Sequence, residues 1–144
     1  MIVFGNDQHL IEFANRLNPV GGFFSPASCF IVGLKVDDQI RVVNAFNNFT
    51  ETSVEATLLS DGRHFGNKDF IKASYIYAFH VAGKYCLNMI TEVGNDRMNR
   101  IHEKFGHHND GILHHWFGKD RHAIRWFFTQ DDWQHSRWFV ELNS

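Results

Sequence analysis

The sequence has little of what marks several classes of protein. It contains two cysteines, Cys29 and Cys86, and both stand in apolar runs. So few cysteines exclude a disulfide scaffold and predict free, buried thiols in a reducing cytoplasm. No stretch reaches the roughly 18 consecutive apolar residues of a membrane span, and no apolar run follows a charged start as in a signal peptide. We therefore expect a cytoplasmic protein with no membrane partner.

The chain also lacks a strong charge of either sign. Its formal net charge is −2 at pH 7, so it offers no general basic surface to nucleic acid, and any anion must be bound locally. Aromatic residues, by contrast, make up 15% of the sequence and include 15 Phe and 4 Trp, which predicts a dense core or an aromatic-lined cleft. A length of 144 residues fits a single domain over residues 1–144.

Hydrophobic spacing predicts an α/β fold with a mixed sheet. A short apolar start precedes a helix and a loop at Gly21 and Gly22, and three strand-like runs with short connections then predict an antiparallel meander. A long helix from Asn67 to Gly83, a buried strand, a short helix and a final hairpin follow. The strand–helix–strand step is long enough for a right-handed parallel crossover. A cleft is expected at the carboxyl ends of the parallel strands.

The predicted helix starts carry residues that cap helices well. Asn6 or Asp7 precedes the first helix, Asn67 the long helix and Asn95 the short one. Thr129, with an acidic residue three positions on, predicts one last helical turn near the end of the chain.

A basic, glycine-containing stretch stands directly before the long helix. It follows a strand and reads Arg63-His64-Phe65-Gly66-Asn67-Lys68. A tight turn at a helix start can aim backbone N–H groups at a phosphate, which the helix dipole also favours. Gly66 would allow the turn or the close approach, while Arg63 and Lys68 would add charged contacts. The alternative is a solvated hairpin turn that only leads into a surface helix.

These elements and motifs together resemble the GNAT superfamily of acyl-CoA-dependent N-acyltransferases. The likeness extends over about residues 30–133, with Asn95, Gly106 and Gly111 in the family's order. The resemblance implies the GNAT-like fold: an antiparallel meander, a β-α-β crossover, a short helix and a C-terminal hairpin. It implies transfer of an acetyl group from acetyl-CoA to an amine acceptor, a small molecule or a protein, in a ternary complex. A homodimer is also compatible with it.

The resemblance also assigns roles to residues of this sequence. Glu55, in the middle of the fourth strand, would be the general base, and Glu92 is the second choice. The family's thiolate acid is frequently a tyrosine on the last helix, but residues 96–105 contain none, and Tyr75 and Tyr77 are predicted to pack in the core. The backbone near Leu58 or Leu59 would bind the oxyanion. The residues expected to hold the cofactor are Leu58, Leu59, Arg63, His64, Gly66, Asn67, Lys68 and Asn95.

Five of the ten histidines lie within residues 107–122, which raises the question of a zinc site. Adjacent side chains in a strand point to opposite faces, so His114 and His115 should not share a site. No cysteine lies near them. We therefore expect no bound metal, and we expect His107, His108 or His115 to line the acceptor end of the cleft, where they would bind substrate.

A second hypothesis follows from two departures from the family pattern. Lys68 stands where the family's phosphate loop has a small residue, and the last helix has no tyrosine. Both fit a catalytically silent GNAT-fold protein that binds a partner protein through an aromatic surface, as a phage- or mobile-element-encoded effector would.

Overall fold

A computed structural model describes residues 1–18 and 24–142 of the chain. The loop predicted at Gly21 and Gly22 lies outside these residues. The described chain contains the strands β1 (Ile2–Gly5), β2 (Phe30–Val36), β3 (Gln39–Asn47), β4 (Ser53–Ser60), β5 (Cys86–Glu92), β6 (His108–Gly118) and β7 (Arg121–Thr129). The helices are α1 (Gln8–Leu17), α2 (Lys68–Ile76), α3 (Asp96–Lys104) and α4 (Gln130–Gln134).

The seven strands form one mixed sheet in the order β1-β2-β3-β4-β5-β7-β6. Strands β1 to β4 are antiparallel neighbours, β4 and β5 are parallel, and β7 pairs antiparallel with both β5 and β6. The β2–β3 turn places Asp37 and Asp38 at φ 51° and 63°, the left-handed backbone that two-residue hairpins require. The predicted meander, crossover and final hairpin are therefore confirmed.

The helix caps predicted from the sequence are present. Side-chain oxygens of Asp7, Asn67 and Asn95 accept hydrogen bonds from backbone N–H groups at 3.1, 2.9 and 3.3 Å. Thr129 and Asp132 form a reciprocal capping box at the start of α4. The long helix differs from its prediction, because α2 passes into a π-helical turn over Tyr77–Val81 before the chain reverses at Gly83.

Helices cover both faces of the sheet. On one face, α1 packs Leu10 and Ala14 against Val43 and Leu59. On the other face, α2 buries its apolar side in a larger core with Trp126. Because side chains alternate along a strand, Glu55 and Leu59 lie on the α1 face of β4 while Val54 and Ala56 lie on the α2 face. The two faces of β4 therefore present different chemistry.

Both cysteine thiols are free, as predicted; Cys29 is also buried as predicted, whereas Cys86 is only half-buried. None of the described helices combines the length and apolar character needed to span a bilayer.

Candidate functional site

The parallel strands β4 and β5 separate partway along their length. They pair from Ser53 and Cys86 as far as Ala56 and Met89, and no pairing between them is found beyond that point in the described chain. Over Thr57–Ser60 the other edge of β4 stays bonded to β3. The result is a wedge in the middle of the sheet, and a cavity of about 690 Å³ lies in and around it. This is the cleft expected at the ends of the parallel strands.

The cavity wall is mainly apolar and aromatic. Phe24 and Leu17 contribute from the α1 side, Phe70 from α2 and Phe105 from the end of α3. A cleft of this size with few polar groups is typical of small-molecule sites. The predicted site residues that line it are Leu58, Leu59, Glu55, Glu92, Asn95 and His107.

Glu55 is the carboxylate in this wall that has no cationic partner among the described residues. It accepts a hydrogen bond from Asn48 Nδ2 at 3.1 Å, and it lies beside Asn47 and Asn88 in the register of the sheet. Its neighbour Ala56 is the last β4 residue paired with β5. Glu55 therefore lies at the apex of the wedge, on the α1 face.

Glu92 has a different environment. Its two carboxylate oxygens accept hydrogen bonds from Arg121 Nε and Nη2 at 2.9 and 2.8 Å. The bond from Arg121 holds the pKa of Glu92 below its ordinary value. A carboxylate held in its charged form by a guanidinium accepts a proton less readily, so the geometry favours Glu55 over Glu92 as a base.

The loop before α2 is a tight turn held by Ser60. Ser60 Oγ accepts hydrogen bonds from the N–H groups of Gly62 and Arg63 at 3.0 and 3.1 Å. Left-handed backbone occurs at Gly62 (φ 110°) and His64 (φ 73°), so the turn depends on these residues. The backbone of Gly66 is not left-handed, and a Cβ added there would meet no protein atom within 4 Å, so the turn itself does not require glycine at this position. Close approach of a cofactor to Gly66 stays a prediction.

Backbone groups of this loop remain open to a ligand. His64 Nδ1 is buried and has no hydrogen-bond partner in the described chain, and His64 and Arg63 line a separate small pocket with Arg41 and Asp61. The N–H groups of Lys68 and Asp69 belong to the first turn of α2, where a helix has no internal acceptor for them. Asp61, the acidic residue of the loop, is paired with Arg41 at 3.0 Å, so it does not cancel the charge of Arg63 or Lys68.

A third cation, not predicted from the sequence, reaches this loop from α3. Arg97 Nη2 donates a hydrogen bond to the carbonyl oxygen of Gly62 at 2.9 Å, and its guanidinium lies 5.2 Å from the ring centre of Phe65. Its place two residues after the Asn95 cap could have indicated a position near the loop. Arg97 joins the two walls at the wide end of the wedge.

The predicted acceptor histidines lie in three different places. His107 is buried and lines the cavity. His108 binds Asp132 at 3.0 Å and contacts the ring of Phe127, while His115 lies near the β6–β7 turn. Neither His108 nor His115 is among the residues that line the cavity. Only His107 is therefore placed to act there.

The prediction that His114 and His115 face opposite sides is wrong. The β6–β7 register shifts between Leu113 and Gly118, and His115 adopts φ 58°. The alternation of side chains is lost at this bulge, and both rings lie close to His122, with centroids 5.2 and 4.6 Å away.

His115, His122 and Asp120 bring potential metal ligands within 4.8 Å of one another. However, His122 Nδ1 accepts the His115 N–H at 2.9 Å, and His115 Nδ1 accepts the Asp120 N–H at 3.1 Å. Each neutral ring must then carry its proton on Nε2, so neither offers a free lone pair to a metal ion. These hydrogen bonds hold the β6–β7 turn, and they explain why the three side chains lie close together.

We accordingly expect the melting temperature to be the same with and without a chelator. Thermal unfolding followed by circular dichroism, with and without about 5–10 mM EDTA, would test this expectation. That concentration is a large excess over trace metal. A melting temperature that falls in EDTA for the wild type, but not for His122→Ala, would contradict it.

Two further residues of the cavity wall were not predicted as functional. Tyr75, expected to be a packing group, and His102 on α3 are both buried, and both are joined to His107 by hydrogen bonds. His102 follows Ile101 in the apolar stripe of α3, which is the signal that could have identified a buried histidine.

No family model matches the chain, and no curated protein matches it. Solved structures do. The spermidine/spermine N-acetyltransferase SpeG from Vibrio cholerae superposes with a TM-score of 0.72 at 14% identity, over 91% of this chain and 96% of that one. A Bacillus subtilis acetyltransferase in complex with CoA superposes with a TM-score of 0.71 at 12% identity, over 89% of this chain and 97% of that one.

A protein from Desulfovibrio desulfuricans, assigned as an acetyltransferase of the GNAT family, gives a TM-score of 0.65 at 13% identity, over 90% of this chain and 99% of that one. At such identities the similarity concerns the fold, and it extends over nearly the whole length of both chains.

Proposed function

Because the chain has the GNAT fold, we propose that it transfers an acetyl group from acetyl-CoA to an amine, with donor and acceptor bound together in one ternary complex. The parting of β4 from β5 is the observation that carries the proposal. It leaves backbone groups of β4 facing a cavity of about 690 Å³ whose wall includes the Glu55 carboxylate, while Arg63, Lys68 and Arg97 lie in and beside the loop that follows β4.

The loop before α2 fits the pyrophosphate of the cofactor. The N–H groups of Lys68 and Asp69 lie at the positive end of a helix dipole. Arg63 and Lys68 add charge, and Arg97 supplies more from α3. Asn67 and Asn95 would act through the caps that fix these helix starts, since both side chains are bonded to backbone N–H groups.

The free edge of β4 fits the arm that leads from the pyrophosphate to the thioester. The backbone of Leu58 and Leu59 lies in the unpaired part of the strand, where N–H groups can bind an amide or a developing oxyanion. When bound, the cofactor supplies an activated acetyl group. The protein supplies orientation, and the apolar wall excludes water from the reacting groups.

Glu55 would take the proton from the acceptor amine, directly or through a water molecule. Its carboxylate lies at the apex of the wedge on the α1 face, and the acceptor would approach from that side, where Leu17 and Phe24 form the wall. A base within reach of the nitrogen lets the amine attack as its neutral form. Glu92, with its charge held by Arg121, remains the second choice.

The alternative function is the binding of a partner protein by a catalytically silent GNAT fold, and one observation favours it. Strand β6 forms an edge of the sheet, and its side chains Ile112 and Trp116 are 46% and 48% exposed. Half-exposed apolar side chains on an edge strand are a surface that another protein or a second copy of this chain can cover, although Trp116 also lines the cavity.

Calorimetric titration of the wild-type chain with acetyl-CoA tests the proposal first. We expect binding at about micromolar affinity, which corresponds to about −8 kcal/mol. A thiol-release assay over a panel of small amines and proteins should then show turnover on at least one acceptor. The absence of binding would overturn the enzyme proposal. Binding without turnover on any acceptor would favour the silent protein.

A further inference from the structure

A chain of hydrogen bonds joins three buried residues beside the cavity. Tyr75 Oη on α2 lies 2.6 Å from His107 Nε2, and His107 Nδ1 lies 2.7 Å from His102 Nδ1 on α3. All three residues line the cavity and are at most 9% exposed. The rings of Phe105 and Phe128 enclose His107 edge to face. Such a network is fixed in place by its apolar surroundings.

The direction of the Tyr75–His107 bond determines where the protons of the network lie. Among the described residues the Tyr75 hydroxyl bonds to His107 Nε2 alone, and we take the hydroxyl as the donor, because a phenol proton pointing elsewhere would have no acceptor among those residues. His107 then carries its proton on Nδ1 and donates to His102 Nδ1. His102 must carry its own proton on Nε2. That N–H has no acceptor among the described residues, and His102 is one of the residues that line the cavity.

Both rings are neutral near pH 7. Burial lowers the pKa of His102 to about 4 and that of His107 to about 3. The charged groups that act on the network are Arg137 at Tyr75, and His108 and Asp132 at His107. A neutral imidazole fixed in one tautomer is a hydrogen-bond donor that does not lose its proton as the pH changes.

His102 lies on the opposite face of the sheet from Glu55. Its ring stacks on Trp126 with centroids 5.3 Å apart, and Trp126 lies directly across from Met89, the last β5 residue paired with β4. Trp126 belongs to the core on the α2 face, whereas Glu55 lies on the α1 face. The two groups thus lie on opposite faces of the sheet, and both residues line the cavity.

We propose that His102 donates its Nε2–H hydrogen bond to the sulfur that leaves the acyl thioester, and that His107 and Tyr75 are the positioning residues that hold it in this tautomer. The inference rests on the proposed acetyl transfer. In that step the amine nitrogen bonds to the carbonyl carbon, the carbon–sulfur bond breaks and the electron pair passes to sulfur. The amine proton goes to Glu55 or water. His102 keeps its proton and stabilises the negative charge on sulfur.

The tautomers are measurable without turnover. In long-range ¹H–¹⁵N spectra of the wild-type chain, we expect His107 protonated on Nδ1 and His102 protonated on Nε2. Addition of CoA should shift the His102 Nε2–H resonance, and addition of desulfo-CoA, which lacks the sulfur, should leave it nearly unchanged.

These spectra separate the inference from the function on which it rests. A chain that binds neither compound overturns both. If both compounds bind but the His102 Nε2–H resonance does not shift, or shifts equally with the two, the inference alone is overturned. Protonation of His107 on Nε2 also overturns it, because the donor would then be missing from His102.

Kinetics supply a second test. We expect His102→Phe to lower kcat about 100-fold with little change in KM for acetyl-CoA, the effect of removing one donor to a developing charge. His102→Gln, which retains an N–H group, should recover part of the loss. His80→Gln, at an exposed histidine outside the cavity, is the matched control. An unchanged kcat in a folded His102→Phe would overturn the inference, and if that variant does not fold, the wild-type spectra decide.

Discussion

Replacing Glu55 by glutamine should lower kcat for acetyl transfer by about 100-fold or more, while acetyl-CoA binds as before. Positioned general bases contribute about 10²–10⁴ in rate, and the amide keeps the shape of the carboxylate but cannot take a proton. Glu55 suits this role because it lines the cavity at the apex of the wedge and accepts its hydrogen bond from an amide, Asn48, rather than a cation.

The measurement is steady-state thiol release with the best acceptor found, over a range of pH. Glu103→Gln, at an exposed carboxylate on α3, is the matched control and should retain wild-type turnover. If Glu55→Gln retains full activity while Glu92→Gln loses it, the base is Glu92, and the Arg121 ion pair must open during the reaction.

Reversing the charge of Lys68 should weaken the binding of acetyl-CoA about 100-fold. Two unit charges 5 Å apart interact by about 3 kcal/mol at an effective dielectric of about 20, and solvent and salt reduce this at an exposed site. Lys68 is exposed in the first turn of α2, and Lys68→Glu would place a negative charge at a predicted pyrophosphate site.

Calorimetry with Lys68→Glu and Lys68→Ala distinguishes the two roles open to this lysine. If Lys68 grips the cofactor, both variants bind more weakly, and the difference from the wild type shrinks at high salt. If Lys68 fills the cofactor's space, Lys68→Ala binds more tightly than the wild type. Lys119→Glu, in the β6–β7 turn, controls for the change in net charge.

The sequence predicts those parts of the fold that depend on local chemistry. Asp7, Asn67 and Asn95 cap helices because their short polar side chains reach N–H groups three residues on, which depends on nothing distant. The meander follows in the same way from alternating apolar residues joined by short turns. Such features are readable before any tertiary contact is known.

What the sequence does not predict arises from contacts between distant residues. The tautomer of His102 depends on Tyr75, which lies on another helix, and the reach of Arg97 to Gly62 depends on how α3 packs beside the loop. The bulge at His115 overrides the strand alternation because the β6–β7 register shifts there. Periodicity along one segment contains no information about these positions.

The parting of β4 and β5 places a free strand edge in the interior of a sheet. Exposed edges at the rim of a sheet invite pairing with other chains, and proteins commonly shield them with charges, bulges or prolines. Here the unpaired backbone of Thr57–Ser60 lies inside a wedge, with Arg97 bonded to the Gly62 carbonyl oxygen near its wide end. An interior edge of this kind is flanked by its own sheet on both sides, so it is not presented at the rim where chains pair. If the cofactor binds as proposed, the amides of its arm would take the place of the missing neighbour strand.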